Sequence, residues 1–245
     1  MNLIINNIFG WVLILGTIIS YSPQYIKLYQ IKSSKGISEW MLIFGGLSCL
    51  FNVIASIEVN RKNINYCNHN NNCYELLLPI AQLISPWFTG LIFYAMYIFY
   101  YDEENPPKVK FNSKIFILLN LFVFLITFIV NFTSNQYNSD YSISVAYSIL
   151  SSVFCIVMWI PQIITTYKNK EEGSLSLLSV FIHAMGCLIT IIYQSLTNNA
   201  MFWVITSYII SFITENGLVI MCLYYKRIKK RDSLLFNALK DEHNL

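Results

Sequence analysis

Glu215 and His183 are the residues of this chain best suited to moving a proton. Among 13 Asp and Glu and 16 Lys and Arg, Glu215 alone falls well inside an apolar stretch, SFITENGLVI. It stands about ten residues from the end of that stretch. At ~1.5 Å per helical residue this is about 15 Å, near the middle of a bilayer if the stretch is a membrane span. An ionised carboxylate at that depth costs at least ~2.5 kcal/mol, which favours a neutral or paired group. A carboxyl held there can load a proton from one side and release it to the other. His183, in LLSVFIHAMGC, lies at the same depth in the preceding apolar stretch. A His–Glu pair could share one proton and titrate as a unit. The bland alternative is a neutral histidine bonded to a neighbouring helix and a glutamate that serves as a polar contact between helices.

Other polar residues fall in apolar stretches, namely Asn52, Gln82, Asn120, Gln194 and Asn216. Asn52, Gln82 and Asn216 are candidates for a solute path, although such groups commonly serve as glue between helices. Cys67 and Cys73, in CNHNNNC, could pair in an oxidising compartment or remain two free thiols. Cys49, Cys155, Cys187 and Cys222 read as packing residues. No His, Cys and Asp cluster shows metal or nucleophile spacing. Neither an enzyme nor a metal or other cofactor is expected.

These residues need membrane helices to hold them. Of the 245 residues 56% are hydrophobic and 12% charged, against about 25% charged in soluble domains. The mean hydropathy of +0.51 agrees. Stretches long enough to span run over about Leu3–Ser22, Trp40–Ile57, Leu76–Tyr100, Ile115–Asn131, Ser142–Thr166, Ser174–Leu196 and Met201–Tyr225. The alternation of an outer-membrane barrel is absent, leaving an all-α bundle of seven helices. Arg61 and Lys62 apart, every Lys and Arg follows helix 1, precedes helix 4, follows helix 5 or lies in the tail. Basic loops face the cytosol, so the C-terminus is expected there and the N-terminus in a lumen. The KRIKKR segment (226–231) would anchor this topology and could hold anionic lipid.

The chain also repeats itself. At an offset of 138 without gaps, Pro23, Gln24, Ile26, Tyr29, Lys32 and Ser38 match Pro161, Gln162, Ile164, Tyr167, Lys170 and Ser176. The offset spans four helices, so helices 1–3 recur as helices 5–7 in the same direction, with helix 4 as linker. This 3+1+3 plan divides the chain into a first three-helix unit at 1–101, a linking segment at 102–140, a second unit at 141–225 and a basic tail at 226–245. Proline removes an amide donor and kinks a helix. The neighbouring glutamine carries two donors and an acceptor that could serve the carbonyl set free. Pro86 suggests a third kink.

Two Pro-Gln pairs, each near the cytosolic end of the first helix of a three-helix unit, resemble the PQ-loop family over nearly the whole chain. KSSKGISEW (32–40) with Trp87-Phe88 looks most like a fungal and protist branch of it. The resemblance implies hinges at Pro23, Gln24, Pro161 and Gln162, about which two halves rock around a central site. The family includes lysosomal and vacuolar exporters of cystine and cationic amino acids, which couple to protons through acidic residues within their helices. Glu215 is the natural position for that role, although no second buried carboxylate accompanies it. The expectation is therefore a transporter of a small polar solute, an amino acid, in an acidic endomembrane compartment. A sugar transporter or a cargo-sorting receptor on the same fold is the alternative. A basic pocket for a carboxylate tail is missing, because no predicted helix core carries Lys or Arg. The repeat argues against a G-protein-coupled receptor, and nothing suggests a nucleic-acid partner.

Overall fold

In a computed structural model, residues 3–61, 64, 66–67, 74–101, 107–133, 141–170, 173–196 and 202–243 are described. They form seven long helices. These are α1 (Leu3–Ile31), α2 (Glu39–Val59), α3 (Tyr74–Phe99), α4 (Pro107–Thr133), α5 (Tyr141–Asn169), α6 (Leu177–Leu196) and α7 (Phe202–His243). Cys73 lies outside the described residues, and with it the question of its pairing with Cys67.

The packing follows the repeat. α3 contacts both α1 and α2, and α7 contacts both α5 and α6. The halves meet through α2 on α5 and α1 on α6, two contacts that exchange under the 138-residue offset. α4 packs outside, against α2 and α3. Lipid offers no hydrophobic drive between helices, so close approach needs small side chains and shared hydrogen bonds. The α2–α5 seam has both. The Ser48 hydroxyl donates to the Ser151 carbonyl at 2.9 Å, and the Ser151 hydroxyl donates to the Ser48 carbonyl at 2.8 Å. Along the same seam the Ser144 hydroxyl donates to the Ala55 carbonyl at 2.8 Å.

Among the described residues, α2, α3, α5, α6 and α7 carry stretches long and apolar enough to cross a membrane. α1 and α4, at 29 and 27 residues, are also of membrane-spanning length. Both turn large apolar residues outward, Trp11, Leu15 and Ile19 from α1 and Leu118, Phe122 and Leu125 from α4. Outward apolar faces on every side suit a lipid solvent.

One expectation about the Pro-Gln pair is corrected. α1 carries Pro23 inside it and runs on to Ile31. The proline frees one carbonyl, that of Ile19, and the Ser22 hydroxyl donates to it at 2.7 Å. The bond comes from serine, where the sequence suggested Gln24. The basic segment that follows residue 225 is helical, with α7 running on to His243.

α1 and α5 end alike. Lys32 and Lys170 both have φ of 52°. The amide of each donates to the carbonyl four residues back, Leu28 and Thr166, at 2.9 Å. This is the left-handed helix stop that glycine normally provides. A side chain there costs about 1–2 kcal/mol. Lys32→Gly and Lys170→Gly should each stabilise the protein by about 1 kcal/mol, offset in part by glycine's greater freedom when unfolded. The check is the midpoint of thermal unfolding in detergent, which should rise in both variants.

Candidate functional site

The loops that follow α1 and α5 meet at one end of the bundle, and the two glutamines bind them together. Gln24 reaches into the second loop, where its Nε2 donates to the Ser174 carbonyl at 3.0 Å and the Ser176 amide donates to its Oε1 at 2.6 Å. Gln162 does the same to the first loop. Its Nε2 donates to the Gly36 carbonyl at 3.0 Å, and the Ser38 amide donates to its Oε1 at 2.8 Å. Each partner is the repeat counterpart of the other. Both glutamines are almost fully buried. A primary amide has one donor edge and one acceptor edge, so it can replace a neighbouring strand for a loop whose backbone is otherwise unpaired. The sequence placed these glutamines as servants of their own kinked helices. They instead hold the opposite repeat.

The loops also touch directly. The Ser174 amide donates to the Lys35 carbonyl at 2.9 Å. Gly173 has φ of +56°, and a Cβ there would stand 2.7 Å from the Lys35 oxygen. Only glycine fits. The Lys27 ammonium donates to the Leu175 carbonyl and the Ser179 hydroxyl to the Ser20 carbonyl. Beneath the loops, Leu28, Ile37, Tyr94, Tyr97, Trp159, Leu175 and Leu218 form a buried apolar cluster.

A cavity of about 160 Å³ lies between the halves. Helices of both repeats wall it, with Tyr21, Asn52, Trp87, Trp159, His183 and Glu215 among the lining residues. Its walls are mostly apolar, with a few polar groups, the usual character of a small-molecule site. At one wall His183 Nδ1 and Glu215 Oε1 share a hydrogen bond of 2.8 Å. The glutamate is fully buried, while the histidine side chain remains 32% exposed. The Tyr21 ring stands edge-on to the imidazole with centroids 5.9 Å apart.

The two residues matched by depth in the sequence are thus brought into contact. Asn52 lines the cavity. Gln82 and Asn216 are absent from its lining. Gln82 packs beside Gly10 of α1, and the Asn216 amide donates to the Phe212 carbonyl one turn back in its own helix at 2.7 Å. Trp87 packs on Phe124 with ring centroids 4.5 Å apart.

Three features escaped the sequence reading. Tyr21 and Trp159 occupy matched repeat positions, and both line the cavity. Gly45 matches His183, and both line it, so the repeat is broken where the ionisable residue stands. Cys187, read as a packing residue, has its thiol 3.9 Å from His183 Nδ1. Its i, i+4 spacing from His183 was the available signal.

Comparison with known proteins agrees with this architecture. The model of the PQ loop repeat matches residues 5–60 and again 143–204. An uncharacterised protein of Schizosaccharomyces pombe is 23% identical over 263 residues, covering 96% of this chain and 86% of the yeast protein. A solved eukaryotic SWEET transporter superposes with a TM-score of 0.54 at 15% identity, covering 91% of this chain and 99% of its own, which speaks for the fold alone. With two matched Pro-Gln segments, their reciprocal loop contacts and a seven-helix membrane bundle built around them, the chain is a PQ-loop repeat protein.

Proposed function

We propose that this protein carries a small polar solute, most naturally an amino acid, across a membrane by alternating access between its two repeats, with proton movement coupled through Glu215 and His183. The observation that carries the reading is an ionisable pair in the wall of a cavity lying between the repeats. The solved relative of like fold is named as a transporter, which supports the class.

The chemistry of the lining favours an amino acid. Buried polar atoms on four cavity residues make no hydrogen bond, namely the indole nitrogens of Trp87 and Trp159, Asn52 Oδ1 and Glu215 Oε2. Each such atom costs about 1–3 kcal/mol if left unpaired. Two are donors and two are acceptors. A zwitterion offers a carboxylate for the donors and an ammonium for the acceptors. The volume suits one small solute and excludes a long chain.

In this reading the end that carries the crossed glutamines faces the cytosol, where the basic loops belong. The other end faces an acidic lumen, lysosomal or vacuolar in type. Pro23 and Pro161 serve as the hinges, and the paired loops form the barrier that must part for release.

Uptake of radiolabelled amino acids into proteoliposomes, with and without an imposed proton gradient, tests the proposal. The expected result is saturable uptake of a subset of amino acids that rises with the gradient. Uptake at background for every amino acid tested would overturn the amino-acid reading and direct the same assay to sugars. Uptake indifferent to the gradient would remove the coupling and leave a facilitator.

A further inference from the structure

We propose that His183, Cys187 and Glu215 form a binding site for a zinc-class divalent transition-metal ion inside the central cavity. The inference does not rest on the transport reading. Nδ1, Sγ and a carboxylate oxygen of these residues all lie within 4.8 Å of one another. His183 Nδ1 stands 2.8 Å from Glu215 Oε1 and 3.9 Å from Cys187 Sγ. A tetrahedral zinc with bonds of about 2.0–2.3 Å holds its donors about 3.3–3.8 Å apart. The observed separations bracket that value, so small rotations about the side-chain torsions would complete the geometry.

Position and ligand type support the same conclusion. His183 and Cys187 stand one turn apart on α6, and Glu215 faces them from α7. The two helices pack along their length, which fixes the third donor against the other two. The second carboxylate oxygen, Oε2, is buried without a hydrogen-bond partner. Glu215 itself is fully buried, so an unsatisfied oxygen there is costly unless a proton or a cation takes it. A dication bound by one thiolate and one carboxylate leaves the buried cluster neutral. All three residues line the cavity, which gives an ion an open fourth position for solvent or solute.

One nitrogen, one sulfur and one oxygen select the class of ion. Calcium and magnesium require shells of oxygen ligands. Copper(I) prefers all-sulfur sets. The mixed set suits zinc and its spectroscopic substitute, cobalt(II). The thiol must lose its proton to ligate.

The test is titration of the purified full-length protein in detergent with cobalt(II), followed by absorption spectroscopy, with zinc as competitor. A thiolate-to-cobalt charge-transfer band and tetrahedral d–d bands that zinc displaces are expected. Cys187→Ser should abolish the charge-transfer band. Glu215→Gln and His183→Gln should each weaken binding by at least about tenfold. Cys222→Ser, a buried thiol of α7 outside the cavity lining, should keep the band. Thermal unfolding of each apo variant guards against misfolding. If no charge-transfer band appears in the wild type, or if it survives Cys187→Ser in a folded protein, the site is refuted. Amino-acid uptake measured in the presence of a chelator reads the transport proposal separately, so either reading can fail alone.

Discussion

Glu215→Gln should fold as the wild type does and lose the gradient-driven part of its uptake. The amide keeps the shape of the carboxyl and can still bond His183 Nδ1, which the carboxylate meets at 2.8 Å. Thermal stability should therefore change little. In the transport reading, what disappears is the group that holds and releases the coupled proton. Uptake under an inward proton gradient should fall at least about tenfold, to the level seen without a gradient, since buried intramembrane carboxylates are retained mainly for such work. Glu215→Leu separates the two roles. It leaves the imidazole without its partner in a buried wall, which should cost about 1–3 kcal/mol of stability in addition to the lost coupling. Proteoliposome flux and unfolding midpoints, measured on the same preparations, distinguish these outcomes. A Glu215→Gln protein whose flux still follows the gradient would show that the proton travels elsewhere.

The second large effect is expected at the loops. Gln24→Leu leaves the Ser174 carbonyl and the Ser176 amide without their partner, and Gln162→Leu does the same to Gly36 and Ser38. Two buried backbone groups per variant, at about 1–3 kcal/mol each, predict a loss of about 2–4 kcal/mol once partial rehydration is allowed. The two substitutions act on one interface, so their combined effect should differ from the sum. In the transport reading the loops also bar the cavity. A cysteine introduced at Ser179, inside the loops, should then react faster with a water-soluble thiol reagent in either glutamine variant than in the wild-type background. Gly173→Ala offers a backbone route to the same state, because its Cβ would press on the Lys35 carbonyl at 2.7 Å. Unchanged stability and unchanged labelling would mean that the glutamine contacts are ornamental.

The lipid-facing parts of this protein were the most legible in its sequence. Seven apolar stretches set the helix count, and the matched Pro-Gln, Tyr and Lys residues revealed the repeat. The partner of the carbonyl that Pro23 frees was misread, because the neighbouring glutamine looked the natural donor, whereas one freed carbonyl needs only a nearby hydroxyl such as that of Ser22. The partners of Gln24 and Gln162 could not be read. They lie about 125 to 150 residues away along the chain, and the contact consists of side chain to backbone, which leaves no signature in residue types. The contact of His183 with Glu215 was visible through depth alone. That of Cys187 was hidden because cysteine in an apolar stretch usually fills space.

The exchange of glutamines between the loops has the form of a handshake. Residue 24 holds 174 and 176, and residue 162 holds 36 and 38, as in the contact between two identical subunits about a two-fold axis. A unit bearing one such glutamine and one such loop contains everything needed to grip a copy of itself. The fold thus encodes a symmetric dimer within one polypeptide, and α4 is the length of chain that lets the second copy enter the membrane in the same direction as the first. Covalent linkage allows the two copies to differ. Where one carries Gly45, the other carries His183.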